Sequence, residues 1–212
     1  MSDCPELRYR WLGRVDYDKG LEEQMDCFQS VSEGAPPIIL ACEHNPVFTL
    51  GRRGTAEEII NPEGIPIVPI NRGGRATYHG PGQAVLYPII KLETFHLGVR
   101  DYIRSLEQAS IQWLAKAGVE ADRDGENPGV WIGDSKIAAV GVHVGRGTTT
   151  HGMSVNLDLD LSVFNQYVPC GLPFRGVTRV ADLIRPPLPS VEEFAFQLAQ
   201  ELAQTLHSRL KL

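Results

Sequence analysis

Many of the apolar residues of this 212-residue chain fall into short, strand-length runs. Val130 to Val144 is strand-like and interrupted by Gly133-Asp134, and a two-residue Gly-Asp turn reads as a β-hairpin. Thr150 to Leu157 sets His151, Met153, Val155 and Leu157 against Thr150, Gly152, Ser154 and Asn156, the alternation of a strand with one buried face. Ile38 to Ala41, Val47 to Leu50, Ile67 to Ile70 and Ala84 to Leu92 read as further strands. Strands joined by hairpins pair antiparallel, which excludes a fold of repeated strand-helix-strand units.

Three helical stripes frame these strands. Tyr17, Leu21, Gln24, Met25, Phe28 and Val31 predict an amphipathic helix over residues 17 to 32, ending near Gly34 and Pro36. Val99, Tyr102, Ile103, Leu106, Ala109, Trp113, Leu114 and Ala117 predict a central helix closed by Gly118. Ser190 and Glu193 form a capping box ahead of Phe194, Leu198, Leu202, Leu206 and Leu210, a C-terminal helix. The fold class is therefore α+β, with a mixed, largely antiparallel sheet and flanking helices.

With 42% hydrophobic and 22% charged residues and no repeat, linker or low-complexity segment, residues 1–212 are expected to form a single domain around one core. No apolar stretch approaches the roughly 20 residues that span a bilayer. Asp3, Glu6 and Arg8 precede any apolar run, unlike a secretory signal, so a cytoplasmic protein is expected. A formal charge of -6 argues against nucleic acid as a partner. The closeness of Arg52, Arg53, Arg72 and Arg75 nonetheless points to a local basic patch that an acidic partner could meet.

Cys4, Cys27, Cys42 and Cys170 show neither a Cys-x-x-Cys pair nor metal-ligand spacing, and read as reduced thiols. No metal and no cofactor are expected. Cys42, inside Ile38-Ile39-Leu40-Ala41-Cys42, suits an inert core position. Cys170 stands between Pro169 and Gly171 in Tyr167-Val168-Pro169-Cys170-Gly171-Leu172-Pro173, where a fixed φ and a permissive turn present the thiol from a rigid loop. Arg72 to Gln83 carries four glycines within ten residues and the polar groups of Arg72, Arg75, Tyr78 and His79, a composition suited to close approach of backbone to ligand. Lys136 opens the second arm of the Gly133-Asp134 hairpin, ahead of small residues. His44, His79, His143 and His151 are alternative bases for a thiol, although each could equally be a hydrogen-bonded structural histidine.

Glu43-His44-Asn45-Pro46-Val47-Phe48-Thr49-Leu50-Gly51, the Arg72–Gln83 loop, Pro128-Gly129-Val130-Trp131 with Lys136-Ile137-Ala138-Ala139-Val140-Gly141, His151-Gly152-Met153-Ser154-Val155-Asn156 and Pro169-Cys170-Gly171 together resemble the lipoyl(octanoyl) transferase family, in the family's order, over about residues 35 to 183. The resemblance implies an α+β fold with a larger and a smaller sheet, similar to the catalytic domains of biotin and lipoate ligases. It implies octanoyl transfer from octanoyl-acyl carrier protein to the acceptor lysine of lipoyl domains, those of 2-oxoacid dehydrogenase complexes and the glycine cleavage H protein. It makes Cys170 the acyl-thioester nucleophile and Lys136 the residue that lowers its pKa. It implies substrate contacts for Arg72, Gly73, Gly74, Arg75, Ala76, Thr77, Tyr78 and His79, for Ala139, Val140 and Gly141, and for Gly152, Met153 and Ser154. Ser154 stands where many members carry alanine, and Asn45 where proline is usual.

Three other readings fit the residues: an ATP-dependent ligase on the same fold, against which Pro169-Cys170-Gly171 speaks; a Cys/His hydrolase with His79 or His151 as base; and a non-catalytic acyl-binding module, in which Cys170 would be unreactive.

Overall fold

The structure, a computed structural model, describes residues 5–166 and 175–210. β1 (Arg8–Val15), α1 (Tyr17–Ser32) and β2 (Ile38–His44) open the chain, and β1 runs parallel to β2. β3 (Val47–Leu50), β4 (Ile67–Pro69) and β5 (Ala76–His79) form a small sheet in the order β4-β3-β5. β6 (Gln83–Ile89), α2 (Val99–Lys116), β7 (Asp122–Arg123), β8 (Gly129–Ile132), β9 (Ser135–Gly145), β10 (Thr148–Asn156), β11 (Gly176–Val177) and α3 (Val191–Arg209) follow. The large sheet runs β1-β2-β6-β10-β9-β8-β7, with β11 added alongside β9. Its pairs are antiparallel except β1–β2 and β11–β9, so the α+β architecture with a mixed, largely antiparallel sheet and a second smaller sheet is present.

The apolar stripes dictate the layers. Ile39, Leu86, Ile137 and Val155 on one face of the large sheet pack under Tyr102, Leu106 and Leu114 of α2 and Phe194, Leu198, Leu202 and Leu206 of α3. Fully burying side chains of this size contributes about 1.5–3 kcal/mol each, so truncating a central one such as Leu198 costs about 2–5 kcal/mol. On the opposite face, α1 lays Val31 with Phe28 over Ile38, Leu40, Val85, Tyr87 and Ile89. The small sheet has its own core of Phe48, Ile59, Ala76, Tyr78, Leu159 and Val163. Ser190 Oγ accepts from the Glu193 amide while the Glu193 carboxylate accepts from the Ser190 amide, closing the expected capping box.

Two expectations change. Thr148–Asn156 is buried on both faces, because β10 lies centrally between β6 and β9 and its polar face looks into a cavity rather than solvent. A strand before α1 was not expected, and β1 with β2 makes one parallel strand-helix-strand unit at the sheet edge. The Gly133-Asp134 turn does connect β8 to β9, with Gly133 at φ +56°. Among the described residues no helix is long and apolar enough to cross a membrane.

Candidate active site

The two sheets meet beside β9 and β10, and the seam leaves a cavity of about 530 Å³, counting the space continuous with solvent. Three backbone segments far apart in sequence line it: Arg72, Gly74, Arg75, Ala76, Thr77 and His79 from the small-sheet side, Ala139, Val140 and Gly141 of β9, and Gly152, Met153 and Ser154 of β10. Lys136 lines the same space. A second hollow of about 310 Å³ shares Thr77, Lys136, Ala139 and Ser154 and adds Gln83, Asn156, Phe164 and Val177.

Glycine permits this convergence at two points. A Cβ on Gly141 would stand 3.0 Å from Arg72 Cδ and 3.1 Å from the Gly73 carbonyl oxygen, so the bare strand is what lets the Arg72 side chain cross β9. A Cβ on Gly152 would fall 2.2 Å from the Leu86 carbonyl oxygen, which keeps β6 and β10 close beneath the cavity. Arg72, buried, donates at 2.9 Å to the carbonyl and to the hydroxyl of Thr49 on β3, and to the Gly73 carbonyl at 2.9 Å.

Lys136 and Trp131 face each other across the β8–β9 hairpin. The register slips between Val130 and Trp131, where one step on β8 spans two on β9, and this bulge sets Trp131 opposite Lys136. The lysine stem passes over Gly129, and Nζ donates to the Pro128 carbonyl at 3.2 Å while lying 4.7 Å from the Trp131 ring centroid. β11 aligns with this end of β9, Val177 opposite Lys136.

The cavity histidines are neutral near pH 7. Burial pushes His79 and His151 down to about 3, with His44 adding to the effect at His79 and Arg72 at His151. His79 Nδ1 donates to Gln83 Oε1 at 2.7 Å, and Gln83 Nε2 donates to Asn156 Oδ1, so the amide chain fixes the tautomer. His151 sits at φ +56°, its amide donating to Gln24 Oε1 of α1 and its Nε2 to Asn71 Oδ1. His44, lowered by burial, donates from Nδ1 to the Val15 carbonyl and accepts at Nε2 from the Tyr87 hydroxyl. His143 accepts from Arg52 at 2.7 Å and is lowered by burial and then by that cation.

Two residues expected at the site point elsewhere. Gly73 bolts the loop to β9 through its amide, which donates to the Val142 carbonyl at 2.9 Å. Tyr78 turns into the small-sheet core, its ring centroid 5.4 Å from Phe48 and 6.3 Å from Phe164. Tyr17, Val85, Tyr87 and Pro128 line the cavity without having been expected there; Tyr17 was legible only as one member of a helix stripe. Arg75 is paired with the buried Glu58 at 2.8 Å. Cys42 is fully buried, and burial pushes its thiol up; Cys27 lies half-buried beside Arg10. Cys4 and Cys170, with Pro169 and Gly171, lie outside the described residues. Among the described residues no group of three or more His, Cys, Asp or Glu could hold a metal ion.

Residues 16–203 match the model of the lipoyl protein ligase A/B catalytic domain. The chain belongs to this family. Curated relatives named octanoyltransferase include one from Chromohalobacter salexigens, 40% identical over 97% of this chain and 93% of its own length, and one from Solibacter usitatus, 46% identical over 87% of each. A third, from Dechloromonas aromatica, is 40% identical over 93% of this chain and 96% of its own. These relatives make the chain an acyltransferase of the ligase A/B family. The fold also resembles a lipoate-protein ligase A solved with ATP, at TM-score 0.75 and 18% identity over 95% of this chain and 86% of that one. A biotin protein ligase from Aquifex aeolicus shares the architecture at TM-score 0.57 and 10% identity, over 94% of this chain and 70% of that one.

Proposed function

We propose that this chain, as one catalytic domain over residues 1–212, moves an octanoyl group from octanoyl-acyl carrier protein to the acceptor lysine of lipoyl domains, those of 2-oxoacid dehydrogenase complexes and the glycine cleavage H protein, in the cytoplasm. The observation that carries this reading is the convergence of Lys136, the Arg72–His79 segment, Ala139–Gly141 and Gly152–Ser154 on one cavity, in a chain whose full-length relatives are named octanoyltransferase. Cys170 is the nucleophile. In sequence it is six residues from Phe164, which lines the hollow that Lys136 shares, and five from Arg175.

In the first step the Cys170 thiolate attacks the thioester carbonyl of the carrier protein. The carbon–sulfur bond to the carrier breaks, and the departing thiolate takes a proton from the Lys136 ammonium. The exchange of one thioester for another needs no ATP. In the second step the neutral ε-amine of the acceptor lysine attacks the octanoyl carbonyl, Cys170 leaves as thiolate, Lys136 takes up the amine proton, and an amide results. The Lys136 cation favours the thiolate of a thiol whose ordinary pKa is near 8.5. Apolar wall supplied by Val85, Val140 and Met153 suits a saturated chain.

Intact-mass measurement after mixing with octanoyl-acyl carrier protein tests the proposal. One octanoyl group should appear on wild-type protein and none on Cys170→Ala. Labelling of the Cys170→Ala protein would sink it, and octanoylation that needs ATP and leaves Cys170 unmodified would favour a ligase.

A further inference from the structure

We propose that Arg175, Asp124 and Trp131 are positioning residues that fix the Lys136 ammonium, a reading that rests on the role given to Lys136 above. A lysine carries four flexible methylenes and about 2 kcal/mol of rotamer freedom, so an ammonium that must meet a thiol at one point needs its path restricted. The described residues supply two supports, and both lead back to one ion pair.

The first support is the Trp131 ring. Its face lies 4.7 Å from Lys136 Nζ and 3.6 Å from the Arg175 guanidinium carbon, both inside the roughly 6 Å over which a cation is drawn to an indole. Arg175 is in turn gripped by Asp124 through Nη1, with Asp134 at 3.6 Å from Nη2. The second support is the Pro128 carbonyl, which accepts from Nζ at 3.2 Å. Pro128 ends the loop that Asp124 organises: the Asp124 carboxylate accepts from the amides of Glu126 and Asn127 at 2.8 and 2.9 Å, and the Asn127 carbonyl accepts from the Trp131 indole at 3.3 Å. The Glu126 amide first, then Arg175 and the Asn127 amide, hold the Asp124 carboxyl well below its ordinary pKa, so it stays ionised near neutral pH.

Two cations on one ring would repel were Arg175 not matched by Asp124. The bulge that sets Trp131 opposite Lys136 gives the arrangement its register, since without it Trp131 would face Ile137. Among the described residues, the other charged or titratable groups around Lys136 are Asp134, beside Arg175, and, lining the same cavity, Tyr17, Arg72, Arg75, His79, Tyr87 and His151.

Arg175 could instead act directly on the thiol as a second cation, and the carboxylate partner separates the two. If Arg175 acts through Trp131 and Lys136, Asp124→Asn loosens the clamp and raises the pH midpoint for alkylation of Cys170. If Arg175 acts directly, Asp124→Asn unmasks its charge and lowers that midpoint. The experiment measures the rate of Cys170 alkylation by iodoacetamide against pH, read by intact mass, with octanoyl transfer measured in parallel. Asp124→Asn and Arg175→Ala are each expected to raise the midpoint by about half a unit or more and to slow transfer by about tenfold. Arg175→Lys, which keeps the charge but not the flat stack, should recover part of the loss. In a Lys136→Ala background, Arg175→Ala should add no further shift.

A lowered midpoint for Asp124→Asn, an undiminished Arg175→Ala effect in the Lys136→Ala background, or no shift from either single change overturns the proposal. Asp124→Asn carries the test should Arg175→Ala fail to fold. Failure of the underlying reading looks different: Lys136→Ala itself would then leave the Cys170 profile where it was.

Discussion

Arg72 donates two hydrogen bonds at 2.9 Å to Thr49, one to its carbonyl and one to its hydroxyl, and so ties the cavity loop to the central strand of the small sheet. The same side chain crosses Gly141 of the large sheet. Arg72 is therefore a bolt between the sheets as well as part of the cavity wall. Arg72→Ala is expected to lower stability by at least about 2 kcal/mol in urea unfolding, because buried hydrogen bonds to a charged group are lost and the Thr49 hydroxyl loses its Arg72 donor. Arg72→Lys should recover little, since one ammonium cannot reproduce the fork.

The buried histidines make a prediction about pH. His79 and His151 are pushed down to about 3 by burial, against an ordinary value of 6.5. Below pH 6.5 the unfolded chain binds protons that the folded chain refuses, so stability present above that pH is lost as pH falls toward 3. The slope should approach about 1.4 kcal/mol per pH unit for each histidine. Urea midpoints measured between pH 7 and pH 4 should fall, and His79→Gln should flatten the fall. A slope unaltered by that change would place the protonation elsewhere.

On the proposed pairing of Lys136 with Cys170, Lys136→Ala should move the pH midpoint of Cys170 alkylation upward by about one unit or more, because the thiolate would lose a cation. Lys136→Arg keeps the charge on a longer, planar head and should leave the midpoint nearer to wild type while still slowing transfer, since a guanidinium does not give up a proton.

Arg52 and Arg53 are exposed, and Glu58 is occupied by Arg75. Arg52 instead holds His143 of β9. On the proposal that the donor is a carrier protein with an acidic docking face, reversing both charges should slow transfer from it, with the deficit shrinking as salt rises, because exposed charges act on encounter and are screened over about 8 Å at physiological ionic strength. Transfer from a small neutral octanoyl thioester should stay near the wild-type rate. Equal slowing of both donors would exclude a docking role.

What could be read from residue order alone follows from the range of the forces involved. The three helices were visible because each buries a stripe with a 3.6-residue period, and α1 covers Tyr17–Ser32 as the stripe predicts. The hairpin of β8 and β9 was visible because its turn chemistry is local. β1 escaped notice because Arg8, Arg10 and Arg14 point to solvent from an edge strand and dilute the apolar pattern. β11, two residues long, exists only through its pairing with β9. At the site, motif resemblance named the segments that converge, but Tyr17 and Tyr87 enter the cavity through packing between layers, and the meeting of Trp131 with Lys136 depends on a one-residue slip that no alternation announces.

The cavity belongs to neither sheet. Its floor is built on the large sheet, backed by two helices and their extensive core, whereas its other wall rests on a three-stranded sheet whose core, among the described residues, is six buried side chains. Openings cost least where the fewest apolar contacts must be broken. Warming should therefore part the small sheet from β9 and β10 while the helices remain packed. The molecule would lose its grip on substrate before it lost its shape, and its working range would be set by its smallest core.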